Sequence, residues 1–310
     1  MRPFLRKAAL FCAIQLAILV VALAYYRVDP NAFVAAYLDK HRRLGSVTPP
    51  RLLLVGGSNT AFATDSAVLE RAVGRPVVNL GIQHALGLRF MLREASRAVR
   101  SGDLIVVSLE YDQYGERGEE SISIFGLLEQ APSAWADLDV DWTLFKRLAD
   151  GSHGWLRGVL RSDFARARGQ ASAAQVPYTR DSFNVYGDVT AHWSLPPRDF
   201  VSSARQQHPD GETVIPELND FALYCGEHGA KVLIFHPTTT DKKYAAMRLD
   251  LLSQELQSEL HVKQLNRIEE MRYPRELLFD SSYHLTYAGV ERRTKLLAER
   301  LLAERGAATR

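Results

Sequence analysis

Ser58 in "RLLLVGGSNTAF" and the pair Asp280 and His284 in "FDSSYHLTYAG" are residue types that together can move an acyl group. A serine hydroxyl is a weak nucleophile until a base takes its proton. An imidazole base in turn needs a carboxylate to fix its tautomer and stabilise its cation. A tetrahedral intermediate also needs donors for its oxyanion, and the N–H groups of Ser58 and Gly81 with the Asn59 side chain are the candidates. Glu110 and Tyr111 in "SLEYDQY", His84 in "NLGIQHALG" and His236 in "KVLIFHP" are candidates to line a substrate. His84 and His236 read as structural or site-lining rather than catalytic. Taken alone, Ser58 reads equally well as a turn residue capping the segment that follows. No metal or cofactor is expected.

Bringing these residues together requires elements that end near one another. From Arg51 onward, short apolar runs of β type alternate with helical ones: "RLLLV", "DSAVLERAV", "PVVNL", "GLRFMLREASRAV", "DLIVVSL". Continuous apolar strands separated by helices imply a parallel sheet covered on both faces. The expected fold is therefore a three-layer α/β/α sandwich with a mostly parallel five-stranded, flavodoxin-like sheet. Its strands would begin near Arg51, Pro76, Asp103, Lys231 and Glu276. In such a sheet ligands sit beyond the carboxyl ends of the strands, and every candidate named above lies at such an end.

The rhythm lapses between about 114 and 210, where aromatic and apolar residues recur at helical spacing with breakers at Pro132 and Gly151. This reads as an insertion, helices first and then a loop region containing "YTRDSFNVYGDVTAHW". All four tryptophans (135, 142, 155 and 193) fall in it, which suits a lid, a partner surface, a membrane-facing patch or simple packing onto the sheet.

At the N-terminus, Ala8 to Tyr26 carries no charge and as a helix would reach roughly 28 Å, close to the thickness of a bilayer core. Arg2, Arg6 and Lys7 precede it, so the positive-inside tendency places the remainder outside the cytoplasm. A cleaved signal peptide ending at "ALA" is the rival reading; the length of the apolar run favours a retained anchor. The expected organisation is an anchor over 1–27, a juxtamembrane helix and linker over 28–50 with "HRR" as a solvated or membrane-proximal patch, and an α/β domain over 51–310. The expected location is the inner membrane, single-pass, with the domain periplasmic. A net charge of +2 without basic blocks gives no reason to expect nucleic acid, and a disulfide between Cys12 and Cys225 is not expected.

The glycine-serine after the first strand, the asparagine-x-glycine after the second and the aspartate-histidine pair before the last helix resemble the SGNH/GDSL hydrolase superfamily. The resemblance covers about 51–112 and 214–305. It implies Ser58 as nucleophile, Gly81 in the oxyanion hole, and Asp280 and His284 as acid and base. Two departures stand out. Tyr111 in "LEYD" takes the place of the usual asparagine donor, which implies either that Asn59 substitutes or that the oxyanion hole is weaker, and three residues rather than two separate Asp280 from His284. An anchored, exported domain of this kind is also similar to the partners of membrane-bound O-acyltransferases in alginate O-acetylation and D-alanyl-lipoteichoic acid transfer. That similarity implies acyl transfer or removal, acetyl above all, on a cell-surface glycan. The alternatives are a catalytically degenerate accessory subunit of the same fold, or a phosphate-binding domain using "GGSN", which leaves "DSSYH" unexplained.

Overall fold

The computed structural model describes residues 2–25, 28–114, 121–168, 175–200 and 210–308. Its centre is a five-stranded, all-parallel sheet in the order β2-β1-β3-β4-β5, formed by Leu52–Gly56 (β1), Val77–Asn79 (β2), Leu104–Ser108 (β3), Lys231–Ile234 (β4) and Lys263–Gln264 (β5). Successive residues of a strand face opposite sides, so each strand feeds two cores. Leu53, Val55, Ile105, Val107 and Val232 pack under α5 (Leu88–Ala98), α8 (Val214–Glu227) and α10 (Leu249–Glu259). Leu52, Leu54, Val106 and Leu233 pack under α4 (Ser66–Val73) and α11 (Tyr287–Ala308). The strand order reverses direction between β1 and β3, which makes the gap between their carboxyl ends the natural crevice for a ligand.

The fifth strand corrects the sequence expectation. The segment from Glu276 does not join the sheet; Arg275–Leu277 is a 3-10 turn. Its backbone closes on its own loop instead, with Phe279 N–H donating to His284 O (2.8 Å) and Thr286 N–H to Leu277 O (3.0 Å). Those bonds tie the neck of the loop that carries Asp280 and His284. The edge position goes to Lys263–Gln264, too short a run for the apolar pattern to reveal.

The segment over 28–50 is more than a linker. Within it, α2 (Ala36–Ser46) buries Tyr37 and Lys40 against the domain. In "HRR", only Arg42 points into solvent. His41 Nε2 meets Glu94 Oε1 at 2.8 Å, and Arg43 donates to Val77 O and Glu70 Oε2. Lys40 Nζ donates to Asn79 O (2.9 Å) and Gly187 O (2.5 Å) and lies 4.6 Å from the centre of the Phe183 ring. Burial pushes its pKa down to about 7. The unfolded chain keeps this proton to about pH 10. Between these values it therefore binds more protons than the folded chain, and stability rises with pH by up to about 1.4 kcal/mol per unit. Urea denaturation in detergent should show this increase between pH 7 and 9 in the wild type, and Lys40→Met should flatten it.

The insertion contains α6 (Ser121–Gln130), a 3-10 segment beginning at Pro132, and α7 (Trp142–Ala167). Pro132 does interrupt the helical run, but α7 continues through Gly151, which is buried in its packed face. The return segment, 175–200, lies on the main domain. Its Asp188 is fully buried and accepts from Ser66 N–H and Oγ–H, Asn79 Nδ2 and Asn184 Nδ2. Four donors on one carboxylate tie "FNVYGD" to the start of α4 and the end of β2.

At the N-terminus, α1 (Arg2–Tyr25) is one continuous helix. Among the described residues, no helix is long and apolar enough to cross a membrane. Side chains within the apolar run of α1, including those of Ala8, Ala9, Cys12, Ile18 and Leu19, lie outside the described set. The expected disulfide-free state of Cys12 falls outside it too; Cys225 is a buried free thiol.

Candidate active site

Two glycines end β1 because other segments of the chain come too close for a side chain. A Cβ at Gly56 would sit 2.3 Å from Ser108 O, and one at Gly57 would sit 2.8 Å from His84 N and 3.0 Å from Glu110 Oε1. The chain then turns at once into the short helix α3 (Ser58–Ala61), which leaves Ser58 at the crevice between β1 and β3. Buried Arg293 of α11 steadies this region from below, donating to Ala63 O, Thr64 Oγ1 and Ser108 Oγ.

The structure brings Ser58, His284 and Asp280 into one chain of hydrogen bonds. Ser58 Oγ is 2.9 Å from His284 Nε2, and His284 Nδ1 is 2.7 Å from Asp280 Oδ1. With a carboxylate at Nδ1, the proton belongs on that nitrogen, which leaves the Nε2 lone pair facing the serine. The additional residue in the Asp280–His284 loop is absorbed by Ser281, whose Oγ accepts from Tyr283 N–H (3.1 Å) and His284 N–H (3.0 Å). Burial works to raise the Asp280 pKa, but the hydrogen bond and charge of His284, with the Tyr178 hydroxyl, hold it below the ordinary carboxylate range.

Sequence reasoning missed two residues that fix this histidine. Phe62 stacks on the His284 ring at 4.0 Å between centroids and 14° between planes. Tyr178, from the return segment, donates to Asp280 Oδ2 at 2.7 Å and lies 3.3 Å from His284 Nδ1. The sequence offers no periodic signal for Tyr178, because its position depends on a loop that crosses the sheet from the insertion.

Two of the three expected oxyanion donors, the Asn59 side chain and the Gly81 N–H, are engaged elsewhere. The Asn59 side chain turns away from the crevice: its Oδ1 accepts from Gly57 N–H, and its Nδ2 donates to Ser108 O and Oγ, each at 3.0 Å. An asparagine two residues beyond Gly57 closes a local turn on that N–H, and this geometry prevails over display into the site. Gly81 N–H likewise donates to Asn79 Oδ1 at 3.0 Å, and the close packing of Gly81 on Gly57 O leaves no room for a side chain there.

Beside Ser58, the backbone N–H of Asn59 is taken by Glu110. Glu110 Oε1 accepts from Asn59 N–H (3.1 Å) and lies 3.0 Å from Ser58 Oγ, while Oε2 lies 3.2 Å from His84 Nδ1. Burial alone would raise the Glu110 pKa. The His84 hydrogen bond and charge, the His284 charge and the Asn59 N–H outweigh it and hold the carboxyl below its usual range. An anion therefore sits beside the serine.

Of the four candidate lining residues, His84 and Glu110 border a cavity of about 290 Å³ next to Ser58. Tyr111 and His236 do not. Tyr111 is fully buried with its hydroxyl on Pro237 O, and His236 is buried with Nε2 on Gln264 Oε1. The cavity wall is completed by Asp112, at the end of the third strand segment, which accepts from Nζ of Lys243 in α9 (Asp241–Ala246; 2.6 Å) and from Tyr283 O–H (2.8 Å). Among the described residues, no group of histidine, cysteine and carboxylate side chains is arranged to hold a metal ion. No protein-family model matches the chain, and a search of curated proteins returns no match.

Proposed function

We propose that this protein is a serine acyl-esterase or O-acyltransferase of SGNH type, anchored in the inner membrane by α1 with its catalytic domain outside the cytoplasm. The observation that carries this reading is the unbroken hydrogen-bond chain from Ser58 Oγ through His284 to Asp280 at the crevice between β1 and β3. In the reaction, His284 Nε2 takes the Ser58 proton as Oγ bonds to the acyl carbonyl carbon. The resulting imidazolium is stabilised by Asp280 and returns the proton to the departing oxygen as the old ester bond breaks. Water or a sugar hydroxyl then attacks the Ser58 ester, with His284 as base again. The polar wall of His84, Asp112 and Lys243 suits a hydroxyl-rich acceptor, in keeping with an exported or cell-surface glycan and a membrane-bound O-acyltransferase as acyl supplier.

The test is labelling of the purified full-length chain with a fluorophosphonate. The wild type should label and Ser58→Ala should not. Equal labelling of the two would remove Ser58 as the nucleophile.

Glu110 favours a second reading. An ionised carboxylate against the nucleophile and on the Asn59 N–H suits a catalytically degenerate subunit that binds a glycan or an acyltransferase partner. Absence of labelling in both the wild type and Glu110→Gln would favour it.

A further inference from the structure

One long face of α7 carries residues that a water-exposed helix does not normally display. Trp142, Phe145, Leu160 and Phe164 are 74%, 68%, 39% and 59% exposed. At 100° per residue they fall within one arc of the helix, together with exposed Ala149. Trp142 and Phe145 stack face to face, with 6.1 Å between centroids and 1° between planes. Exposed Val140 and Trp135, just before the helix, extend the apolar surface.

Among the described side chains, the charges beside this stripe are mostly of one sign. Lys146, Arg157, Arg161 and Arg168 are exposed and lie along one edge of it, with Asp150 the acid among them. The Arg168 guanidinium lies 4.2 Å from the centre of the Phe164 ring, so cation and apolar group share one end of the helix. The opposite face, with Leu144, Gly151 and Val159, is buried against the rest of the insertion. α7 also packs against α1, whose stretch from Ala8 to Tyr25 carries no charge.

We propose that α7 lies in the plane of the membrane interface, with its apolar stripe in the headgroup-acyl boundary of a bilayer containing anionic lipid. An apolar stripe edged with lysine and arginine is the pattern of interfacial helices, whose binding combines buried apolar area with attraction to anionic headgroups. A partner protein would cover the same tryptophan and phenylalanine, but the one-sided basic edge and the continuity with α1 favour lipid. This inference does not depend on Ser58 chemistry. It shares only the bilayer with the proposed anchor.

The test uses the full-length chain in nanodiscs of zwitterionic lipid, or of the same lipid with phosphatidylglycerol, with bromine on the acyl chains as a fluorescence quencher. The difference in emission between the wild type and Trp142→Phe isolates Trp142. We expect that component to fall about twofold or more with brominated acyl chains in the anionic discs. Quenching should weaken when Lys146, Arg157 and Arg161 are all changed to glutamate. Co-purification of the chain with discs reports α1, whereas quenching reports α7, so the two fail separately. Trp142 emission that is insensitive to bromine and open to acrylamide would overturn the proposal, as would shielding that appears only when a second membrane protein is added.

Discussion

Replacing His284 by alanine should slow acylation of Ser58 roughly ten-thousandfold, with the fold intact. The expectation rests on geometry: Nε2 is 2.9 Å from the serine oxygen, and the other ring nitrogen is held by Asp280. Without the imidazole, no neutral base of suitable strength touches the hydroxyl, and loss of a triad member of this kind typically costs about that factor. Asp280→Asn should act through the same step, because an amide at Oδ1 favours the tautomer that places a proton on Nε2, facing Ser58. The measurement is the second-order rate of fluorophosphonate labelling, with circular dichroism to confirm folding. A loss of less than about tenfold for His284→Ala would exclude it as the base.

The second large effect has the opposite sign. Glu110→Gln should raise the labelling rate, by about ten- to a hundredfold. In the wild type Ser58 has one proton and two acceptors for it, His284 Nε2 and Glu110 Oε1, at nearly equal distances. When the proton points to Glu110, the nucleophile is turned away from its base. A unit charge at about 4 Å contributes roughly 4 kcal/mol at an effective dielectric constant near 20, so even a third of that is worth about a factor of ten. Glutamine keeps an oxygen for the Asn59 N–H and removes the charge. A fall in rate comparable to that of His284→Ala would show that Glu110 assists the chemistry rather than restraining it.

Most of the sheet and the residues of the Ser58–His284 contact were legible from sequence for a physical reason. Strands buried on both faces are apolar throughout, and strand-end residues follow directly from where those runs stop. Ser58 lies directly after such a run, so locating β1 located it; Asp280 and His284 follow "ELLFD", which is not a strand of the sheet, and were marked by their residue types and spacing before the last helix. Side-chain direction was not legible. Asn59 and Tyr111 follow strand ends as expected, yet one turns back onto its own turn and the other into the core, because local hydrogen bonding and packing decided each case. Glu110 was visible as a residue but not as the occupant of the Asn59 N–H, which depends on how β1 and β3 align. Tyr178 and Asp188 were beyond reach, since their contacts join the return segment to positions more than a hundred residues away. The misplaced fifth strand has a similar cause: "ELLFD" has the composition of a strand, but its backbone partners lie in its own loop.

The docking of α2 on the domain also limits where the crevice can work. If α1 is held in a bilayer, only residues 26–32 lie between it and the 3-10 turn at Phe33–Ala35 that leads into α2. Fully extended, those residues reach at most about 25 Å. With α1 so anchored, the domain would be kept on a short tether rather than at the end of a long stalk, and the substrate of the proposed reaction would have to come to the membrane surface. A polymer being exported past the bilayer satisfies that condition; the distant outer layers of an envelope do not.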